Sequence, residues 1–133
     1  MKLIYILLFS LPFLTFGQKF SKEEISRIIQ GDFNSSLPVF QTSDSLQYTV
    51  LLAKSTDVKP RNKYTKVLVN RMKRSLQGTD GGVGIAAPQV GINRNIIWVQ
   101  RFDRPEKPLQ YFLNTKIIWR SETLNLGPEG DLC

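Results

Sequence analysis

Residues 82–91 of the chain read GVGIAAPQVG. Three glycines, two alanines and one amide side chain bury little apolar area, so the stretch is bare for some reason other than filling a core. Glycine is used where φ must be positive or where something approaches the backbone closely. Around Gln89 that usage describes a wall cleared for a ligand, with the carboxamide as its one polar probe. Such an N–H can donate to an oxyanion developing on a carbonyl, an interaction worth about 3 to 4 kcal/mol in a hydrolase. A tight glycine turn with a surface glutamine stays open as the plainer alternative. G-x-G alone is weak, and Ala87 stands where G-x-G-x-x-G needs its third glycine. The other chemistry-bearing facts are one cysteine, Cys133, and no histidine. No intrachain disulfide can form, and the commonest general base and metal ligand is missing.

The elements that must position Gln89 belong to one domain's length of chain, 133 residues with 41% hydrophobic and 22% charged side chains, the composition of a globular protein. The net charge of +7 is concentrated in residues 54–74, where Asp57 is the only acid. That run has no interleaved aromatic apart from Tyr64 and no nucleic-acid signature follows it. It therefore reads as a solvated basic face, not as a nucleic-acid or lipid footprint. Residues 1–18 read MKLIYILLFSLPFLTFGQ. Lys2 precedes an apolar run of about 14 residues, short of the roughly 20 that span a bilayer core, and the pattern matches an export signal cut after Gly17. The expected organisation is a signal peptide in residues 1–17 and a domain in 18–133 that works in the periplasm or outside the cell, with no stable membrane anchor after cleavage. The oligomeric state stays open.

Ser21 and Glu24 fit a capping box, Phe20 and Ile25 a hydrophobic staple, and Gly31 a left-handed stop, which predicts a helix over residues 22–30 with an Ile25, Ile28, Ile29 stripe. Residues 32–62 are turn-rich, with 46–52 either a short strand or a helical turn. Leu68, Met72 and Leu76, with Val69 beside them, predict a helix over residues 64–77 whose Lys66, Asn70, Lys73 and Arg74 face water. The glycines from Gly78 end it. Residues 95–100, 109–114 and 116–120 are rich in β-formers and predict three strands. Helices followed by antiparallel strands make this an α+β domain.

Residues 82–89, GVGIAAPQ, closely resemble the first signature of peptide deformylases, G-hydrophobic-G-hydrophobic-A-A-x-Q. The resemblance extends over about half of the chain, roughly residues 64–133: a helix before the glycines, VGINRNIIWV as the strand after them, and YFLNTKII as the next strand with its asparagine. It implies a metal-dependent hydrolase that removes the formyl group from N-formylmethionyl peptides. In such enzymes Fe(II) or Zn(II) is held by a cysteine of an E-G-C-L-S signature and two histidines of an H-E-x-x-H helix, whose glutamate moves the proton. By resemblance, Gln89 donates to the formyl oxygen, the backbone at Gly82, Val83, Gly84 and Ile85 lines the substrate groove, and Cys133 is the metal ligand.

The match departs from the family in two places. Glu129-Gly130-Asp131-Leu132-Cys133 aligns with E-G-C-L-S either in register, with Asp131 at the ligand position, or shifted by two, with Cys133 there. The shifted register keeps a thiolate on the ion. No H-E-x-x-H occurs, so the expectation is an incomplete deformylase-like domain, truncated before its ligand helix, that binds no metal and does not turn over by itself. The competing expectation is an exported, non-catalytic relative that keeps the wall around Gln89 as a binding module.

Overall fold

The computed structural model describes residues 18–124, 126 and 127. The leader expected in residues 1–17, and Asp131 and Cys133 with their signature, lie outside the described residues. Among the described residues no helix is long and apolar enough to cross a membrane.

Helix α1, Lys22–Ile29, starts on the expected capping box: the Ser21 N–H donates to Glu24 Oε2 at 2.7 Å and the Glu24 N–H to Ser21 Oγ at 3.2 Å. Gly31 follows at φ +76°. The uncertain 46–52 stretch is a helix, α2, Ser45–Leu52. Asp44 caps it, its Oδ1 accepting the Leu46 and Gln47 N–H groups at 2.9 and 3.0 Å, and it leaves Leu46 and Leu52 exposed. Helix α3, Lys63–Gln77, is capped by Asn62 and buries Leu68, Val69, Met72 and Leu76. Lys66, Asn70 and Arg74 are exposed as expected, whereas Arg71, one residue of the basic run, is 3% exposed.

The sheet has three antiparallel strands in the order β1, β2, β3: Gly84–Ala86, Ile96–Gln100 and Leu109–Leu113. Its make-up corrects the strand expectation. The first strand comes from the bare stretch itself, and residues 116–120 form no strand. They have the composition of one but pair with no strand among the described residues, and Ile117, Ile118 and Trp119 stand exposed. Strand β2 alternates as a half-covered strand should: Ile96 and Trp98 are buried on the side of α3, where the Trp98 indole N–H reaches the Val69 carbonyl at 2.8 Å. Ala87, Val90 and Ile92 complete the same core with Ile28, Leu37 and Val58. At the end of β3, Asn114 takes φ +56° and its side chain pairs with Val58, accepting its N–H at 2.8 Å and donating to its carbonyl at 2.9 Å.

Two buried guanidiniums fasten the ends of α1. Arg71 donates to the Ile28 and Gln30 carbonyls at 2.8 and 2.9 Å, meeting acceptors that the helix C-terminus leaves without partners. Arg94 donates to the Lys19 carbonyl at 2.7 Å and pairs with Glu24 at 2.6 Å, with the Phe20 ring 4.7 Å from its guanidinium. In the β2–β3 loop, the Arg101 guanidinium bonded to Asp103 holds that exposed carboxyl at about 2, below its ordinary 3.8.

Removing one partner of a mostly buried pair leaves the other charge uncompensated, so Glu24→Ala should cost about 3 kcal/mol or more, whereas Trp119→Ser should stay within about 0.5 kcal/mol. Urea unfolding midpoints check this, and equal losses would contradict it. Because the Asp103 carboxyl is depressed, its contact with Arg101 contributes above the ordinary carboxylate value and is lost as pH falls through about 2. A carboxyl-carbon NMR titration should show that midpoint, and a midpoint near 3.8 would show the contact absent in solution.

Candidate functional site

The stretch around Gln89 folds as a strand running into one tight turn. Ala86 is extended, at φ −107° and ψ 151°, and Pro88 lies in the first turn of a 3₁₀ helix spanning Ala87–Val90, where its fixed φ suits and its missing N–H costs nothing. Gly91 stops the turn at φ +80°. The Gly91 N–H donates to the Pro88 carbonyl at 2.9 Å and the Ile92 N–H to the Ala87 carbonyl at 3.1 Å. Gln89 therefore rides on a turn closed by its own backbone.

The structure divides the bare positions by cause. Ala87 is fully buried in the core, so its small side chain lets the turn sit close on the core and clears no space for a ligand. Gly91 needs glycine twice over: its φ is positive, and a Cβ there would lie 2.5 Å from Cζ of the Phe40 ring. At Gly84 a Cβ would meet the Trp98 carbonyl oxygen at 3.1 Å, so glycine also lets β2 approach. Ile85 is 3% exposed and turns its side chain into the core, while Val83 is exposed and Gly82 half-buried.

Backbone direction follows from the pairing register. The Gln100 N–H donates to the Val83 carbonyl at 2.7 Å, which makes that opposed pair a hydrogen-bonded one. Gly84↔Val99, the next pair, is then non-hydrogen-bonded, and Ile85↔Trp98 is hydrogen-bonded again. Gly84 and Ala86 thus direct their peptide groups away from β2, along the outer edge of the sheet, and Ile85 directs its own inward. The Ala86 N–H on that edge meets Gln89 Oε1 at 2.8 Å. The half-buried carboxamide is thereby tied to the edge strand. A row of outward peptide groups suits an extended chain.

Of the expected site residues, Gly84 and Gln89 meet at this edge, Val83 and Ile85 turn their peptide groups toward β2, Gly82 precedes the strand, and Cys133 lies outside the described residues. Among the described residues no three His, Cys, Asp or Glu side chains converge to hold a metal ion. With no histidine in the chain, the donors at hand do not fit the Fe(II) or Zn(II) site that the resemblance implies. Sequence reasoning missed Phe40. Gly91 announces that something comes close, but nothing local says that the visitor is a side chain fifty-one positions earlier.

A model of the polypeptide deformylase family matches residues 37–133. The chain is 31% identical to a peptide deformylase of Prochlorococcus marinus over 105 residues, 74% of this chain and 47% of that protein. It is 42% identical to a peptide deformylase of Synechocystis over 52 residues, 38% of this chain and 28% of that one. The chain thus spans about half the length, or less, of these relatives. Among solved structures, a ligand-bound class I type b peptide deformylase of Acinetobacter baumannii matches with a TM-score of 0.62 and 29% identity, over 74% of this chain and 63% of that one. The same enzyme bound to Met-Ala-Ser matches with a TM-score of 0.59 and 28% identity, over 73% and 64% of the two chains.

Gly31 and Gly91 separate backbone strain from crowding. Both have φ near +80°, but a Cβ at Gly31 meets nothing within 4 Å. Gly31→Ala should cost about 1 kcal/mol, and Gly91→Ala should cost about 2 kcal/mol more from overpacking against the ring. Thermal unfolding of the two variants compares them, and similar losses would place the Phe40 ring elsewhere.

Proposed function

The chain belongs to the polypeptide deformylase family, and on that premise we propose that it handles N-formylmethionyl peptides as a deformylase-like hydrolase. In this proposal the peptide lies extended along the edge at Gly84 and Ala86, and the Gln89 amide donates to its formyl oxygen. The observation that carries it is the bond from the Ala86 N–H to Gln89 Oε1, which ties the carboxamide to the edge strand. The Met-Ala-Ser bound by the Acinetobacter enzyme supports a peptide as the class of occupant.

The edge binds and orients. It offers backbone acceptors and donors to the peptide main chain, and in this reading the bond from Gln89 to the formyl oxygen strengthens as that oxygen becomes an oxyanion. The ion that such a hydrolysis calls for, Fe(II) or Zn(II), is part of the proposal, and no step is assigned to it because the described donors do not fit it. A second reading is a binding module that keeps the edge without turnover. The proposal also includes export, supported by the leader pattern of Lys2 and the apolar run in residues 3–16.

Calorimetry with N-formyl-Met-Ala-Ser and with unformylated Met-Ala-Ser tests the role of Gln89. The formylated peptide should bind more tightly, and Gln89→Leu should remove that preference, a loss of about tenfold for one hydrogen bond. Equal affinity for the two peptides, or an unchanged preference in Gln89→Leu, would contradict the assignment. Turnover after adding Fe(II) or Zn(II) supports the hydrolase, and binding without turnover supports the module.

A further inference from the structure

Phe40 lies outside every signature considered above, yet it touches the turn that carries Gln89 in two ways. Its backbone N–H donates to the Gln89 carbonyl at 2.7 Å. Its ring, 8% exposed, occupies the space that a side chain at Gly91 would fill, with Cζ 2.5 Å and both Cε atoms 3.0 Å from that position. The ring is engaged from α1 as well: the Arg27 guanidinium lies 5.0 Å from its centroid. α1 is itself pinned at both ends by Arg71 and Arg94, and it precedes residue 37, where the family match begins. A rigid element outside the matched segment thus bears, through one aromatic ring, on the turn that aims the amide.

We propose that Phe40 is a positioning residue for Gln89: its ring, backed by Arg27 of α1, holds the 3₁₀ turn so that Gln89 Oε1 stays on the Ala86 N–H. The proposal rests on the role given to Gln89 above. The physical basis is close packing. A turn of four residues with two hydrogen bonds of its own rocks unless its outer side is filled, and an aromatic ring against a glycine leaves no gap for that motion. The main-chain bond from Phe40 remains in any substitution, so variants at this position report on the ring.

The test is amide hydrogen exchange by NMR on the full chain. The Ala86 N–H reports the Gln89 bond, and the Gln100 N–H, bonded to Val83 in the sheet, reports the scaffold. Phe40→Ala should raise exchange at Ala86 by about tenfold or more and leave Gln100 near its original rate, because the opening is local. Phe40→Leu, which keeps most of the apolar volume, should stay within about threefold of the original at Ala86. Unchanged Ala86 exchange in Phe40→Ala, or equal rises at Ala86 and Gln100, would overturn the proposal, the latter by showing that the ring holds up the fold and not the amide. Should Phe40→Ala fail to fold, Arg27→Gln carries the test: removing the cation from the ring should raise Ala86 exchange alone by about threefold, and no change there overturns the proposal. Formyl-peptide calorimetry on Phe40→Leu and Phe40→Ala forms a separate arm. If the exchange results hold while peptide affinity never depends on Gln89, the positioning role stands and the assigned function falls.

Discussion

A single hydrogen bond, from the Ala86 N–H to the Gln89 side-chain oxygen at 2.8 Å, decides what this edge of the protein can do. A glutamine amide has an acceptor end and a donor end, and rotation by half a turn exchanges them. Tied to Ala86, the oxygen is committed and the side chain is held on the edge strand. The bareness of residues 82–91 then has two sources. Gly84, Ala87 and Gly91 are small so that β2, the core and Phe40 can come close, and Gly84 and Ala86 form the edge along which the proposed peptide lies.

The scaffold behind the edge uses buried cations in place of apolar volume. Arg71 and Arg94 are 3% and 4% exposed, and each spreads its fork of donors over several oxygens: carbonyls at the end of α1, carbonyls just before its start, and the Glu24 carboxylate. A guanidinium suits this role because its charge is permanent and its donors are fixed in one plane. α1 is short, and on its own a helix of this length is marginal in water. Clamped at both ends, it becomes stiff enough to present Arg27 to Phe40. The path from charge to site therefore runs through helix ends, an aromatic ring and a glycine.

How much of this the sequence discloses depends on whether the signal is local. The Ser21–Glu24 box, the Leu68, Met72, Leu76 stripe and the β-formers of β2 are local signals, and those elements stand where they were expected, within a residue or so. α2 was undecided because SLQYTVLL has no apolar face to read; the deciding signal was Asp44, a cap whose side chain takes two N–H groups. β1 was missed because three residues, two of them glycine and alanine, become a strand only by pairing with β2. Residues 116–120 show the converse: a strong strand composition that pairs with no strand among the described residues gives no strand. Arg71 looked like one more member of a solvated basic face, and only the fold brings the carbonyls of residues 28–36 around it. At the site, the family signature identified Gln89, whereas the ring that backs its turn comes from far up the chain and left no local trace.

Titrating N-formyl-Met-Ala-Ser into the ¹⁵N-labelled chain and following the spectrum tests the central claim most directly. The account predicts that the largest shifts fall on the Gly84 and Ala86 amides and on the Gln89 side-chain NH₂, with the Ile85 amide, turned inward toward β2, moving less. Shifts centred on another face, or a Gln89 NH₂ signal that stays in place while the peptide binds, would contradict it.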